Sequence, residues 1–293
     1  MRKLLTLSTL ALILTACSDS TSDTTSSPTN EANIASETNV TKTEPANTTT
    51  MPVTPVSTTE AGIDPVLEQS ISNMLDWDSY VSITSVIEEF ENSELYPTIE
   101  YNTEKQYIVE PTSVYIATST IGFGNMLHEQ YADNAFIEGG YESMDQGEWM
   151  EMDPATVEDT LKNQVDSRIE LLNFIISNSE STQNGDDMTF AIDSSLLHEA
   201  YKKMQMALFY NLTENELTPD IEDALFLEMG ELITGDVTIT VTNDQIQQFT
   251  LLFEYVNEDG ETNRVTATET YSHVNEIDLV DSPEELYIGV GVN

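Results

Sequence analysis

Positive charge is scarce in this sequence. Nine Lys and Arg stand against 53 Asp and Glu in 293 residues, a formal net charge of -44. Phosphate backbones are gripped by Lys and Arg, so a general nucleic-acid binder is excluded. Docking on anionic lipid headgroups, which needs basic clusters, is disfavoured for the same reason. Cysteine is nearly absent: the single Cys17 excludes a disulfide within the chain and any multi-cysteine metal site. The three histidines are far apart, and His128-Glu129 has no second His at metalloprotease spacing. No Gly-x-Ser-x-Gly elbow occurs, and Gly122-Phe123-Gly124 lacks the third glycine of a dinucleotide loop, so it reads as a turn.

What is present starts with an address. Arg2 and Lys3 precede an apolar segment from Leu4 to Leu14, which is too short to span a bilayer and has the length of a secretory signal. It runs into Leu14-Thr15-Ala16-Cys17, similar to the bacterial lipobox, which implies a signal peptide over residues 1–16 and lipidation of Cys17. The thiol is then consumed by a diacylglyceryl anchor, whose two chains suffice for stable attachment. Over residues 17–60 nearly half the residues are Ser or Thr, four prolines intervene and aromatics are missing. Such a stretch cannot bury enough apolar surface to offset its ordering entropy. It is expected to be a flexible tether reaching a few tens of Å, at roughly 5–6 Å times the square root of its length.

The whole chain is 39% hydrophobic, enough for a packed core, and residues 61–293 are expected to form one folded domain. A short helix is expected from Pro65, with Asp64 as its cap. Alternation then places Val81, Ile83 and Ile87 on one side of a strand, and Ile99, Tyr101, Tyr107 and Val109 on one side of the next. Further short strands are expected near residues 113–119, 126–131, 134–138 and 148–151. A helix capped by Asp153 carries an apolar stripe from Val157 through Leu161, Val165, Ile169 and Leu172 to Ile176. Past a turn at Asn184-Gly185 come a strand at Met188–Ile192, a second helix opened by Ser194 or Ser195, and a third over Pro219–Leu232. The clearest β pattern closes the chain. Val237, Ile239 and Val241 alternate with threonines; Phe249, Leu251, Phe253 and Tyr255 share one side of the next strand; Val265, Ala267 and Tyr271 share one side of the last. Strands do not alternate regularly with helices, which argues against βαβ units.

Several segments carry a family resemblance. They are the lipobox at Cys17, Gly147-Glu148-Trp149-Met150-Glu151-Met152 running into Pro154, the Thr238–Val241 strand, the hairpin from Gln245, and Thr270-Tyr271-Ser272-His273-Val274-Asn275 before Pro283-Glu284-Glu285. Together they resemble a Gram-positive surface lipoprotein family of unassigned function, related to the LolA/LprG-type lipid carriers. The resemblance implies an α+β fold: a curved antiparallel half-barrel with helices packed on its concave side, a concavity that relatives use for acyl chains.

No catalytic residue, metal site or cofactor is indicated. Carboxylates are so numerous that a glycosidase dyad cannot be picked out. Asp76-Trp77-Asp78 and Asn257–Glu261 could catch calcium loosely at the surface, but the second, laid on an EF-hand loop, puts Tyr255 first and Thr266 last and breaks the ligand scheme. Two charges stand out: Lys105 between Tyr101 and Tyr107, and Glu269 between Ala267 and Tyr271, each on the apolar side of its strand. A charge on a packed face is costly unless paired or wet. Either they line or pair across a partly polar cavity, or each lies near a rim or beside a bulge that shifts its register. Trp149, Met150 and Met152 are candidates for a ligand wall or for plain core. The expectation is a monomeric, non-enzymatic lipoprotein anchored through Cys17 on the outer face of the cell membrane. It would hold an apolar or acyl-chain ligand among Phe249, Leu251, Phe253, Tyr255, Tyr271, Trp149, Met150 and Met152, with Lys105 and Glu269 as cavity charges. The alternative is an envelope interaction or sensor module that meets a protein or cell-wall partner through its acidic surface.

Overall fold

In the computed structural model the described residues are 65–93, 97–122, 124–134, 139–218, 230–257 and 259–281. All belong to the second of the chain's two units, Met1–Pro55 and Val56–Asn293. Cys17, the tether and Asp64 lie outside them, as do residues 219–229 of the expected third helix. Its last two positions, Glu231 and Leu232, open a strand instead.

Two antiparallel meanders make one sheet. The first comprises β1 (Ser79–Phe90), β2 (Thr98–Ile108), β3 (Ser113–Ile121), β4 (Met126–Asp133), β5 (Gly139–Met144) and the short β6 (Met150–Glu151). The second comprises β7 (Ser179–Asn184), β8 (Asp187–Ile192), β9 (Glu231–Thr242), β10 (Gln245–Val256) and β11 (Thr262–Ser272). They join where β1 pairs with β11, giving the order β6-β5-β4-β3-β2-β1-β11-β10-β9-β8-β7, curved and unclosed. Helix α1 (Pro65–Asn73) precedes the sheet, while α2 (Pro154–Thr160), α3 (Val165–Asn178) and α4 (Leu197–Gln205) fall between and within the meanders. The expected α+β half-barrel is therefore the observed fold.

The second meander follows its alternation. Val237, Ile239, Phe249, Leu251, Phe253, Val265 and Ala267 are buried, joined in one core by Leu171, Leu172 and Ile175 of α3 and by Ala200, Tyr201 and Met204 of α4. The intervening threonines stand on the other face, where Thr189 meets Thr238 and Thr250 meets Thr268, each pair of hydroxyls 3.1 Å apart. Asn243 and Asp244, with φ of 54° and 58°, make the tight turn between β9 and β10.

Three departures are informative. On β1 the inward side is Tyr80, Ser82, Thr84 and Val86, whereas Ile83 is 47% exposed. Pairing on both flanks, with Thr84 opposite Glu269 and opposite Thr103, fixes this register and puts Val81, Ile83 and Ile87 outward. The helix expected over residues 154–176 is two helices. Asp153 caps the first through its carboxylate, which accepts from the Ala155 and Thr156 amides at 3.0 and 3.1 Å, and the break exposes the Leu161 carbonyl to the Tyr107 hydroxyl at 3.0 Å. Finally β8 has a partner that the sequence hides, the polar and largely exposed edge strand β7.

Candidate functional site

At the seam of the two meanders the core contains charge. Arg168 projects from α3, and its Nε donates to both oxygens of Glu269 on β11, at 3.4 and 3.1 Å. Its Nη1 donates to Ser167 Oγ and to the carbonyl of Ala207, in the π-helical turn Met206–Tyr210 that continues α4. Arg168 is 3% exposed and Glu269 1%. Beside them is Lys105, 2% exposed, with its Nζ 4.9 Å from the centroid of the Tyr107 ring. Tyr107 stacks on Tyr80 at 5.5 Å, Tyr80 meets Tyr271 edge-on at 6.2 Å, and Trp77 packs on Tyr271 at 5.0 Å and 67°. Three buried polar atoms here have no hydrogen-bond partner: Trp77 Nε1, Lys105 Nζ and Tyr271 Oη.

The electrostatics follow from burial. Desolvation pushes the Lys105 ammonium well below its usual range; nearby Arg168 pushes the same way, and Glu269 only partly opposes them. Burial also disfavours charge on Arg168, yet Glu269 beside it holds the guanidinium above its ordinary value. The Tyr80 and Tyr271 phenols are raised by burial; for Tyr271 the nearby Glu269 carboxylate adds to this.

On the β2–β4 side of the seam the inward-facing side chains change character. Lys105 fixes which side is inward, and from it the alternation gives Tyr101 and Thr103 on β2, Ile116, Thr118 and Thr120 on β3, and His128 and Gln130 on β4. All are partly exposed, in contrast to the sealed side chains of β9–β11. Thr103 and Thr118 share a hydroxyl contact of 3.1 Å, and His128 Nε2 lies 2.9 Å from Glu142 Oε2. The α3 and α4 helices pack over β7–β9, while α2 meets β4 and β5, so this stretch of sheet forms a shelf between two helical covers. On the inward side of β1, Glu88 has its pKa raised to about 7 by burial.

The expected ligand wall is not brought together. Phe249, Leu251 and Phe253 are fully buried beneath helices, and Tyr255 is packed against the same core. Trp149, Met150 and Met152 stand at the opposite end of the sheet, around β6. Met150 is 57% exposed, Trp149 is half-buried, and Met152 is buried against Gly140, whose missing Cβ leaves room for its methyl group. An open cleft of about 430 Å³ lies near this end, lined by Asn134, Pro154, Val157, Glu158, Leu161 and Lys162. Lys105, Glu269 and Tyr271, by contrast, do share one site, away from any rim, and the β1–β2 and β1–β11 pairings run through them without a bulge. The rim-or-bulge explanation is therefore set aside. Sequence reasoning missed Arg168, Trp77, Tyr80 and Tyr107. Arg168 had a readable signal, a base one turn after Val165 on the apolar stripe of α3 in a chain nearly devoid of bases. Among the described residues no group of three or more His, Cys, Asp or Glu is placed to hold a metal ion, and no helix is long and apolar enough to cross a membrane.

No family model and no curated protein matches the chain. Among solved structures it is similar to the Mycobacterium tuberculosis lipoprotein LppX, at 12% identity over 74% of this chain and 100% of that one, with a TM-score of 0.34. A DUF1329 family protein from Desulfovibrio piger aligns at 8% identity over 74% and 92%, with a TM-score of 0.25. A LolA superfamily protein from Nitrosomonas europaea aligns at 8% over 76% and 95%, with a TM-score of 0.23.

Proposed function

We propose that this chain is a lipid-anchored, non-enzymatic binding protein on the outer face of the cell membrane, and that the shelf on β2–β4 shelters an apolar or acyl-chain ligand. One observation supports the reading: the concave face is sealed by helices over β8–β11 but leaves Tyr101, Ile116 and the methyl groups of Thr103, Thr118 and Thr120 partly exposed between covers. The ligand face is thus moved from Phe249, Leu251 and Phe253 to the first meander. Binding there would draw on apolar burial at ~25 cal/mol per Å². Affinity should then climb with chain length and respond little to salt, in contrast to an acidic docking surface. The test is organic extraction of the purified full chain followed by mass spectrometry, with titration of alcohols of increasing chain length. Lipid recovery and a steady gain per methylene support the reading. Affinity independent of chain length, or a salt-sensitive protein partner with no lipid recovered, would replace it with the envelope interaction module.

A further inference from the structure

The three buried atoms without partners at the seam have something in common. Indole Nε1 only donates a hydrogen bond, the Lys105 amine does likewise once an anion charges it, and the Tyr271 phenol near the Glu269 carboxylate is best used as a donor too. They sit within one aromatic cluster. Lys105 and Tyr271 flank Ser82 in register from β2 and β11, Trp77 packs on Tyr271, and Tyr80 bridges Tyr271 to the Tyr107 ring beneath the Lys105 Nζ. Buried donors are normally satisfied, and leaving three together is expensive. Each is open to an acceptor brought into the cluster.

Charge counting leads to the same place. Four of the six bases among the described residues have acidic partners on the surface: Lys162 with Asp159 and Glu216, Lys202 with Glu199, Lys203 with Glu214, and Arg264 with Glu254. Arg168 has Glu269. Lys105 is the one described Lys or Arg with no ion pair, in a chain where acids outnumber bases 53 to 9. Arg168 and Glu269 balance each other, so the buried Lys105 amine would carry its charge only with a second anion beside it.

We propose that Lys105, Tyr271 and Trp77 receive the single anionic head group, a carboxylate or a phosphate monoester, of an amphiphile whose chain lies on the shelf. This inference rests on the binding function proposed above. The placement supports it, because Ile116 neighbours Lys105 in register and Thr103 is two residues along the same face, so the shelf runs directly up to the amine. Arg168 and Glu269 position the site: the guanidinium is held by the carboxylate and by the Ala207 carbonyl, which leaves the Lys105 amine as the base available to an anionic guest.

The test uses the full chain carrying Cys17→Ser, titrated with hexadecanoate, hexadecyl phosphate and hexadecanol and read by tryptophan fluorescence. Trp149→Phe leaves Trp77 as the sole reporter. At least one of the two anions is expected to bind tenfold or more tightly than the alcohol, and which one identifies the head group. Lys105→Met should erase that preference while leaving the alcohol's affinity within twofold. Tyr271→Phe should reduce it several-fold, and it decides the matter if Lys105→Met does not fold. Equal binding of acid and alcohol, or a preference that survives both substitutions, overturns the head-group site while leaving the acyl-chain reading intact. Failure of all three probes to bind overturns both.

Discussion

Removing Glu269 should damage this protein far more than removing Arg168, although the two form one ion pair. Breaking a buried pair from one side typically costs about 3–5 kcal/mol, because the survivor is left charged and desolvated. Glu269→Gln strands the Arg168 guanidinium beside the Lys105 amine, with no other buried carboxylate in the cluster to answer it. The upper part of that range, about 4–5 kcal/mol, is expected. Arg168→Met leaves Glu269 beside Lys105, whose amine can take up a proton and supply the missing charge, while the thioether fills part of the space. About 1–2 kcal/mol is expected there, within the range of ordinary core substitutions. Lys105→Met should be neutral or stabilising, since it removes a buried amine that has no partner. Urea unfolding of the three variants at pH 7, against a typical total of about 5–15 kcal/mol, resolves differences of this size. Glu269→Gln no worse than Arg168→Met, or Lys105→Met as harmful as Glu269→Gln, would refute the charge assignment.

Three further expectations can be checked independently. Glu88 has its pKa raised from 4.5 to about 7 by burial, so the folded chain holds this proton more tightly than the unfolded one and stability falls as pH rises from the lower value through the higher. Glu88→Gln should match wild type near pH 4 and exceed it above neutrality by up to about 3 kcal/mol, measured by denaturation across that window. A Cβ at Gly235 would stand 2.8 Å from both Leu197 Cδ2 and Phe253 Cε1, so Gly235→Ala is expected to cost about 1–3 kcal/mol by overpacking, read as a lowered melting temperature. Asp153→Ala should fray α2, with faster hydrogen exchange at the Ala155 and Thr156 amides and little change at α3, which begins after an independent turn.

Much of the fold was legible because apolar content and period agreed over the second meander. Val237, Ile239, Phe249, Leu251, Phe253 and Val265 announce their buried side by simple alternation, and Asn243-Asp244 marks the turn between their strands. The break between α2 and α3 was hidden because Leu161 and Val165 keep the helical spacing across it; the interruption comes from Asn163, whose side chain accepts from the Val165 amide at 3.2 Å and starts the new helix. Strand β7 was hidden because SESTQN has no apolar residue and only one β-branched residue, Thr182, to signal extension, and it is held by its pairing with β8.

The misreading of β1 has a different cause, and it bears on function. Its outward residues Val81, Ile83 and Ile87 are more apolar than its inward Ser82 and Thr84, so hydrophobicity points the wrong way. The inversion is local. It occupies the columns facing Lys105, Thr103 and Glu269, while Val86, one step further along, returns to the ordinary pattern opposite Ala267. A chain that keeps to alternation along β9, β10 and β11 but places serine, threonine, lysine and glutamate inward at the seam gives up apolar burial where its sheet is most central. Packing alone does not select such a composition, since well-packed apolar residues in place of a buried ion pair are often neutral or stabilising. Departures of this kind are expected where a sequence serves a site as well as a core. The same columns carry the unpartnered donors and border the partly exposed shelf, so the segment that hydrophobicity misplaces is also the one to which binding is assigned.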